Sequence, residues 1–142
     1  MGYLLDTNAC VHLLRGNAPV VIQRLAEARP KAVHLCSPVL YELYYGAYHS
    51  AAQERNLATL EAFRATMINL PFNDNAAEVA GRVRATLATA GTPIGPIDLL
   101  IASLALVHDL TQVTHNTREF GRIPDLRLED WEVPRSSLNG SA

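Results

Sequence analysis

Tyr3-Leu4-Leu5-Asp6-Thr7-Asn8 sets three apolar residues directly against an acid and two short polar side chains. The apolar triplet reads as a short buried strand. Asp6 then offers the side chain that caps a helix running to about Leu14. The same alternation repeats along the chain. Ala18 to Ala28 has helical periodicity, and Ala32 to Cys36 reads as a second strand. Ser37-Pro38 marks a helix start, with Ser37 as cap and Pro38 in the first turn, and this helix runs through Glu42 to about His49. Another helix is expected from Ala51 to about Ala65, then a short strand from Ile68 to Leu70. Asn73 or Asp74 caps a helix to Ala90 that puts Ala76, Val79, Ala80, Val83 and Leu87 on one face, and Gly91 stops it. After a loop from Thr92 to Pro96, the run from Ile97 to His108 predicts a buried helix. Thr111 to Thr114 predicts a strand and Leu126 to Leu128 an edge strand. Strands alternating with helices predict an α/β fold, a mainly parallel sheet with helices on both faces. Its working site should lie at the carboxyl ends of the strands.

A chain of 142 residues, 49 % hydrophobic and 18 % charged, is long and apolar enough for one folded domain and too apolar for a disordered segment. One domain over residues 1–133 is expected, followed by a polar, flexible tail over 134–142. The net charge of -2 gives no long-range attraction for nucleic acid. Apart from Lys31 the basic side chains are all arginine, which suits bidentate contacts to phosphate. No apolar run is long enough to cross a bilayer and no signal peptide opens the chain, so a cytoplasmic protein without a membrane partner is expected. Cys10 and Cys36 read as buried thiols in a reducing compartment. Their spacing to His12 and His34 matches no zinc-finger pattern.

Three acids stand where a lone carboxylate is costly: Asp6 after a buried strand, Glu42 within Val39-Leu40-Tyr41-Glu42-Leu43, and Asp98 within Ile97-Asp98-Leu99-Leu100-Ile101. Taken singly, Asp6 is explained as a helix cap, and so is Asp98. Glu42 lies well inside its helix and caps nothing, and Gly46 leaves open space on its side. Taken together, a shared cation explains all three. Thr114-His115-Asn116-Thr117-Arg118-Glu119-Phe120 begins at the carboxyl end of the fourth strand. There Asn116 supplies an oxygen ligand or a hydrogen-bond donor, and Glu119 a further acid. Hard oxygen donors select Mg²⁺ or Mn²⁺ over Zn²⁺, and a water activated by such an ion is suited to attack a phosphodiester. The candidate catalytic set is therefore Asp6, Glu42, Asp98, Asn116 and Glu119. Asp6, Glu42 and Asp98 are the metal ligands, and Asn8, Thr114 and Arg118 stand around metal and phosphate.

Four stretches follow one another in the motif order of PIN domains: Leu5-Asp6-Thr7-Asn8, Ser37-Pro38-Val39-Leu40-Tyr41-Glu42-Leu43, Pro93 to Ala102, and Val113 to Phe120. With the ending Arg127-Leu128-Glu129-Asp130-Trp131 they resemble the VapC toxins in particular, over nearly the whole chain from Leu4 to Trp131. The resemblance implies a three-layer α/β/α fold and divalent-metal endoribonuclease activity. It also implies a cytoplasmic homodimer held in check by a VapB antitoxin, with DNA reached only through that antitoxin. Asp6, Glu42 and Asp98 match the family's acidic metal positions, whereas Asn116 stands where many PIN domains carry a fourth acid; Glu119 is the candidate replacement. The Asn-Thr-Arg-Glu-Phe ending resembles toxins that cut initiator tRNA, which makes tRNA the favoured RNA substrate.

Tyr41, Tyr44, Tyr45 and Tyr48 fall at helical spacing. They either cover the edge of the core or form a partner surface, and the resemblance favours an antitoxin there. Two other chemistries are compatible with acids after a strand. A phosphatase would use Asp6 as nucleophile, since Leu5-Asp6-Thr7-Asn8 has a partial likeness to the opening of haloacid-dehalogenase enzymes. That chemistry, like a signalling receiver domain, wants a lysine near the acids, and only Lys31 is present. A PIN-like module that binds RNA or protein without cutting it is the third alternative.

Overall fold

The computed structural model describes residues 2–133, so the tail expected at 134–142 lies outside the described residues. Five strands, β1 (Tyr3–Leu5), β2 (Val33–Cys36), β3 (Ile68–Leu70), β4 (Thr111–Val113) and β5 (Leu128–Glu129), form one sheet in the order β3-β2-β1-β4-β5. Every neighbouring pair is parallel. The helices between them are α1 (Thr7–Arg15), α2 (Pro19–Glu27), α3 (Ser37–Tyr48), α4 (Gln53–Arg64), α5 (Asp74–Thr89), α6 (Pro96–Val107) and α7 (Thr117–Phe120).

The strand order explains the layers. From β1 the chain steps outward through β2 to β3, then returns to lay β4 on the other side of β1. Parallel crossovers are right-handed, so reversing the direction of travel moves the connecting helices to the opposite face. That gives the α/β/α sandwich. It also makes the gap between β1 and β4 the point where connections leave in opposite directions, the usual crevice of such sheets.

β1 is buried on both sides, with Leu4 and Leu5 fully enclosed, which is why its sequence is a continuous apolar run rather than an alternating one. The main core joins these to Leu35, Val39, Leu43, Ile101 and Leu104, and a second cluster gathers Val83, Leu87, Leu99, Phe120 and Ile123. Gly91, with φ of 73°, follows the end of α5, and the next residue, Thr92, donates its N–H to the Leu87 carbonyl at 2.9 Å. This is the left-handed stop that glycine favours. Trp131 is buried and packs edge-on against Tyr3, ring centres 5.2 Å apart, which brings the segment after β5 back across the sheet.

Several boundaries differ from the sequence reading. Ser37 does not cap α3: the helix begins at Ser37 itself, and the Ser37 hydroxyl instead accepts a hydrogen bond from Asn69 on β3. β5 starts at Leu128 because β4 pairs Gln112 with Leu128 and Val113 with Glu129. A 3-10 turn at Pro30–Ala32 and the short α7 were not anticipated, since each is too brief to show a period. Cys10 and Cys36 are free and buried as expected, and burial pushes the Cys36 thiol up to about 12.

Candidate active site

The carboxyl ends of β1, β2 and β4 carry most of the polar side chains singled out above. Asp6 leaves β1 and is 5 % exposed; its backbone N–H still donates to the Val113 carbonyl of β4 at 3.1 Å. Its carboxylate caps α1 by accepting from the Ala9 N–H at 2.9 Å. The buried Thr114 hydroxyl also bonds to that carboxylate, and the same hydroxyl oxygen accepts the Asn116 N–H at 3.0 Å. Burial nevertheless raises the Asp6 pKa above its ordinary value, with Glu132 and Glu42 adding repulsion.

Glu42 stands in the second turn of α3 and accepts a hydrogen bond from the Thr7 hydroxyl at the start of α1. Thr7 was not assigned a role from sequence, although it sits between Asp6 and Asn8. Gly46 opens the space expected beside Glu42: a Cβ there would meet nothing within 4 Å. That space is part of a groove of about 270 Å³ lined by Val11, Leu14, Leu43, Ala47 and Leu60 with Glu42 at its wall.

Asp98 lies in the first turn of α6 but does not cap it, because the cap position belongs to Gly95 and no side chain bonds there. Burial first, then Glu119, Glu42 and Asp6, pushes the Asp98 carboxyl up to about 6. Glu119 behaves oppositely. Its two oxygens accept from the Gly95 N–H at 3.1 Å and the Asn116 side-chain amide at 2.9 Å, and its pKa is lowered accordingly. Asn116 therefore orients Glu119.

The remaining expectations divide. Asn8 is exposed and has no hydrogen bond to these acids among the described residues. Arg118 is exposed on α7 and forms no ion pair among the described residues, while Arg122 is tied to the Pro93 carbonyl at 3.0 Å. Lys31 precedes β2, at the opposite end of the parallel sheet from the acids, so the phosphatase and receiver readings lack their lysine. Tyr41, Tyr45 and Tyr48 are about 60 % exposed (62, 63 and 59 %). Tyr44 turns inward, where its hydroxyl donates to Glu61 and accepts from Arg64 at 2.8 Å, so the stripe is not uniform.

Four acids thus influence one another at one edge of the sheet. Among the described residues no Arg, Lys or His forms an ion pair with Asp6, Glu42 or Asp98. Uncompensated carboxylates of this kind are suited to an added divalent cation.

Residues 3–126 match the family described as PIN domain. The chain belongs to that family. Within the PIN domains it belongs with the VapC proteins. It is 43 % identical over 129 residues to the tRNA(fMet)-specific endonuclease VapC of Salmonella typhimurium, covering 91 % of this chain and 97 % of that relative. It is 40 % identical over 129 residues to the protein of the same name from Shigella flexneri, with the same coverage of 91 % and 97 %. Among solved structures, DNA-bound VapBC from Salmonella typhimurium superposes with a TM-score of 0.87 at 40 % identity, covering 92 % of this chain and 98 % of that one. Among the described residues no three of Asp6, Glu42, Asp98 and Glu119 bring ligand atoms within 4.8 Å of one another. Among the described residues no helix of this PIN domain is long and apolar enough to cross a membrane.

Proposed function

We propose that this chain is a Mg²⁺- or Mn²⁺-dependent endoribonuclease, the toxin of a VapBC pair, with tRNA as its substrate and initiator tRNA the first to offer it. The observation that carries this reading is the repulsion that Glu119, Glu42 and Asp6 add to the half-buried Asp98 carboxyl, while among the described residues no Arg, Lys or His pairs with Asp6, Glu42 or Asp98. The names of the relatives at 43 % and 40 % identity supply the substrate.

The residues fit a hard divalent ion: the donors are carboxylate oxygens, two of them with raised pKa values that a cation would reverse. Asp6, Glu42 and Asp98 would hold it, and when bound it supplies charge neutralisation at the phosphate and an acidified water. The protein's own part is orientation. Thr114 and the Ala9 N–H fix the Asp6 carboxylate, Thr7 fixes Glu42, and Asn116 with the Gly95 N–H fixes Glu119. Held carboxylates need little rearrangement when substrate arrives, which is the main advantage of a prebuilt charged site. Arg118, exposed beside Glu119, is the side chain that meets the RNA phosphate; Asn8 serves at most through water.

In the same reading the chain works in the cytoplasm as a homodimer and is silenced by a VapB-type antitoxin, through which alone it meets DNA. Tyr41, Tyr45 and Tyr48 offer the antitoxin an aromatic face next to the apolar groove that ends at Glu42, and Tyr44 supports that face from behind. Purified protein, proven free of antitoxin, tests the proposal on initiator and total tRNA. Cutting with Mg²⁺ or Mn²⁺ that stops with EDTA and is lost in Asp98→Asn is expected. Cutting that survives EDTA or that Asp98→Asn retains overturns the metal assignment. Absence of cutting on any RNA leaves the chain a binding module.

A further inference from the structure

Arg24 stands in the last turn of α2, and its side chain is only 8 % exposed. Its Nη1 donates to Glu129 Oε1 of β5 at 3.2 Å, and the buried Trp131 indole donates to the same oxygen at 3.0 Å. The other two guanidinium nitrogens, Nε and Nη2, are buried and have no hydrogen-bond partner among the described residues. A guanidinium keeps its proton in a protein, so both atoms are donors without any choice of tautomer or ionisation. Buried donors are nearly always paired, and leaving two on one cation unmatched is costly. An acceptor is called for at that edge.

The place for it is a cavity of about 80 Å³ lined by Tyr3, Arg24, Glu27, Ala28, Glu129 and Trp131. Nε–H and Nη2–H project side by side from one edge of the planar guanidinium, a fork that matches the two oxygens of a carboxylate. The volume holds roughly two or three groups the size of a water molecule. A carboxylate with its first carbon fits that space, and a sugar or a base does not. Charge narrows the choice further. Glu27 and Glu129 both line the cavity, so a doubly charged phosphate meets more repulsion there than a singly charged carboxylate.

We propose that the Nε–Nη2 edge of Arg24 is a binding site for one carboxylate group, separate from the acids at Asp6, which suit a cation. The site backs onto the candidate active site through β5: the Glu129 carbonyl accepts the N–H of Thr114 at 3.0 Å, and the Thr114 hydroxyl bonds to Asp6.

Acetate is the probe, titrated into the full-length protein in EDTA at constant ionic strength, with chloride as the control. Trp131 is the only tryptophan of the chain and lines the cavity, so its emission reports the site directly. A saturating change with acetate that chloride does not give is expected. Arg24→Lys keeps the charge opposite Glu129 but has no fork, and should weaken binding by at least about tenfold. Glu129→Gln keeps an oxygen for Arg24 and Trp131 and removes a repelling charge, so it should bind acetate more tightly. Circular dichroism checks that both variants fold. Should Arg24→Lys not fold, Glu129→Gln decides: tighter binding supports the site, and unchanged or weaker binding overturns it. No saturation beyond the chloride control, or equal affinity in Arg24→Lys, overturns the site and leaves the cavity to water. Tighter binding of phosphate than of acetate overturns the carboxylate assignment.

Discussion

Replacing Asp98 with asparagine should abolish catalysis while making the metal-free protein more stable. Burial and three neighbouring acids push this carboxyl from 3.8 to about 6. A shift of about two units corresponds to roughly 3 kcal/mol for a fully buried group. Asp98 is only half-buried, and solvent screening reduces this to about 1 kcal/mol. The sign follows from proton binding. Between pH 3.8 and about 6 the folded state holds more protons at this position than the unfolded state, so the cost is full above pH 6 and is relieved as pH falls through 6. The amide of the Asp98→Asn variant would keep the shape of the carboxyl and never carry its charge. Urea denaturation in EDTA measures the difference: at pH 7.5 the variant should exceed the wild type by about 1 kcal/mol, or a few degrees in Tm, and the gap should narrow by pH 4.5. Mg²⁺ at ten times its Kd should then stabilise the wild type by about 1.4 kcal/mol and leave the variant unmoved. A variant less stable than wild type at pH 7.5, or a gain independent of pH, would refute the electrostatic reasoning.

Three further outcomes are expected. Thr7→Val removes the hydroxyl that holds Glu42, so Mg²⁺ affinity measured by calorimetry should fall by about tenfold with stability nearly unchanged; unaltered affinity means Glu42 needs no such support. Tyr44→Phe breaks a link between α3 and α4 and should lower the urea midpoint by the equivalent of about 1 kcal/mol, whereas Tyr41→Ala should cost little stability and weaken capture of the antitoxin. If both variants behave alike, the division of the tyrosines into support and surface is wrong. Gln112 is fully buried in β4 with both amide atoms unpartnered, so Gln112→Met should be neutral or stabilising in thermal denaturation, and a large loss would reveal a bound water or partner at the amide.

The sequence was most legible where apolar runs and caps coincide. Tyr3-Leu4-Leu5 followed by Asp6, and the Asn73 cap of α5, both stand where local pattern put them. The candidate site stood out in the sequence because Glu42 inside an apolar helix has no local explanation, and only tertiary neighbours could supply one. What escaped was pairwise and non-local. Thr7 meets Glu42 across 35 positions and Gly95 meets Glu119 across 24, and nothing in either segment announces the other. A glycine N–H leaves no trace at all in a sequence. Ser37 misled for a related reason: it has the composition of a cap, but Asn69 on the neighbouring strand competes for its oxygen. The stripe of tyrosines has one period, yet one member is claimed by α4, a choice made by packing rather than by spacing.

The central strand has a bearing on when this protein can act. β1 is made more than a hundred residues before its second neighbour, β4, which lies beyond residue 110, and Asp6 is joined to Val113 and Thr114 only when that strand arrives. A chain still emerging from the ribosome therefore carries its acids as scattered side chains with no common centre. If the chain cuts RNA as proposed, the order of the strands postpones the cut until β4 has been made.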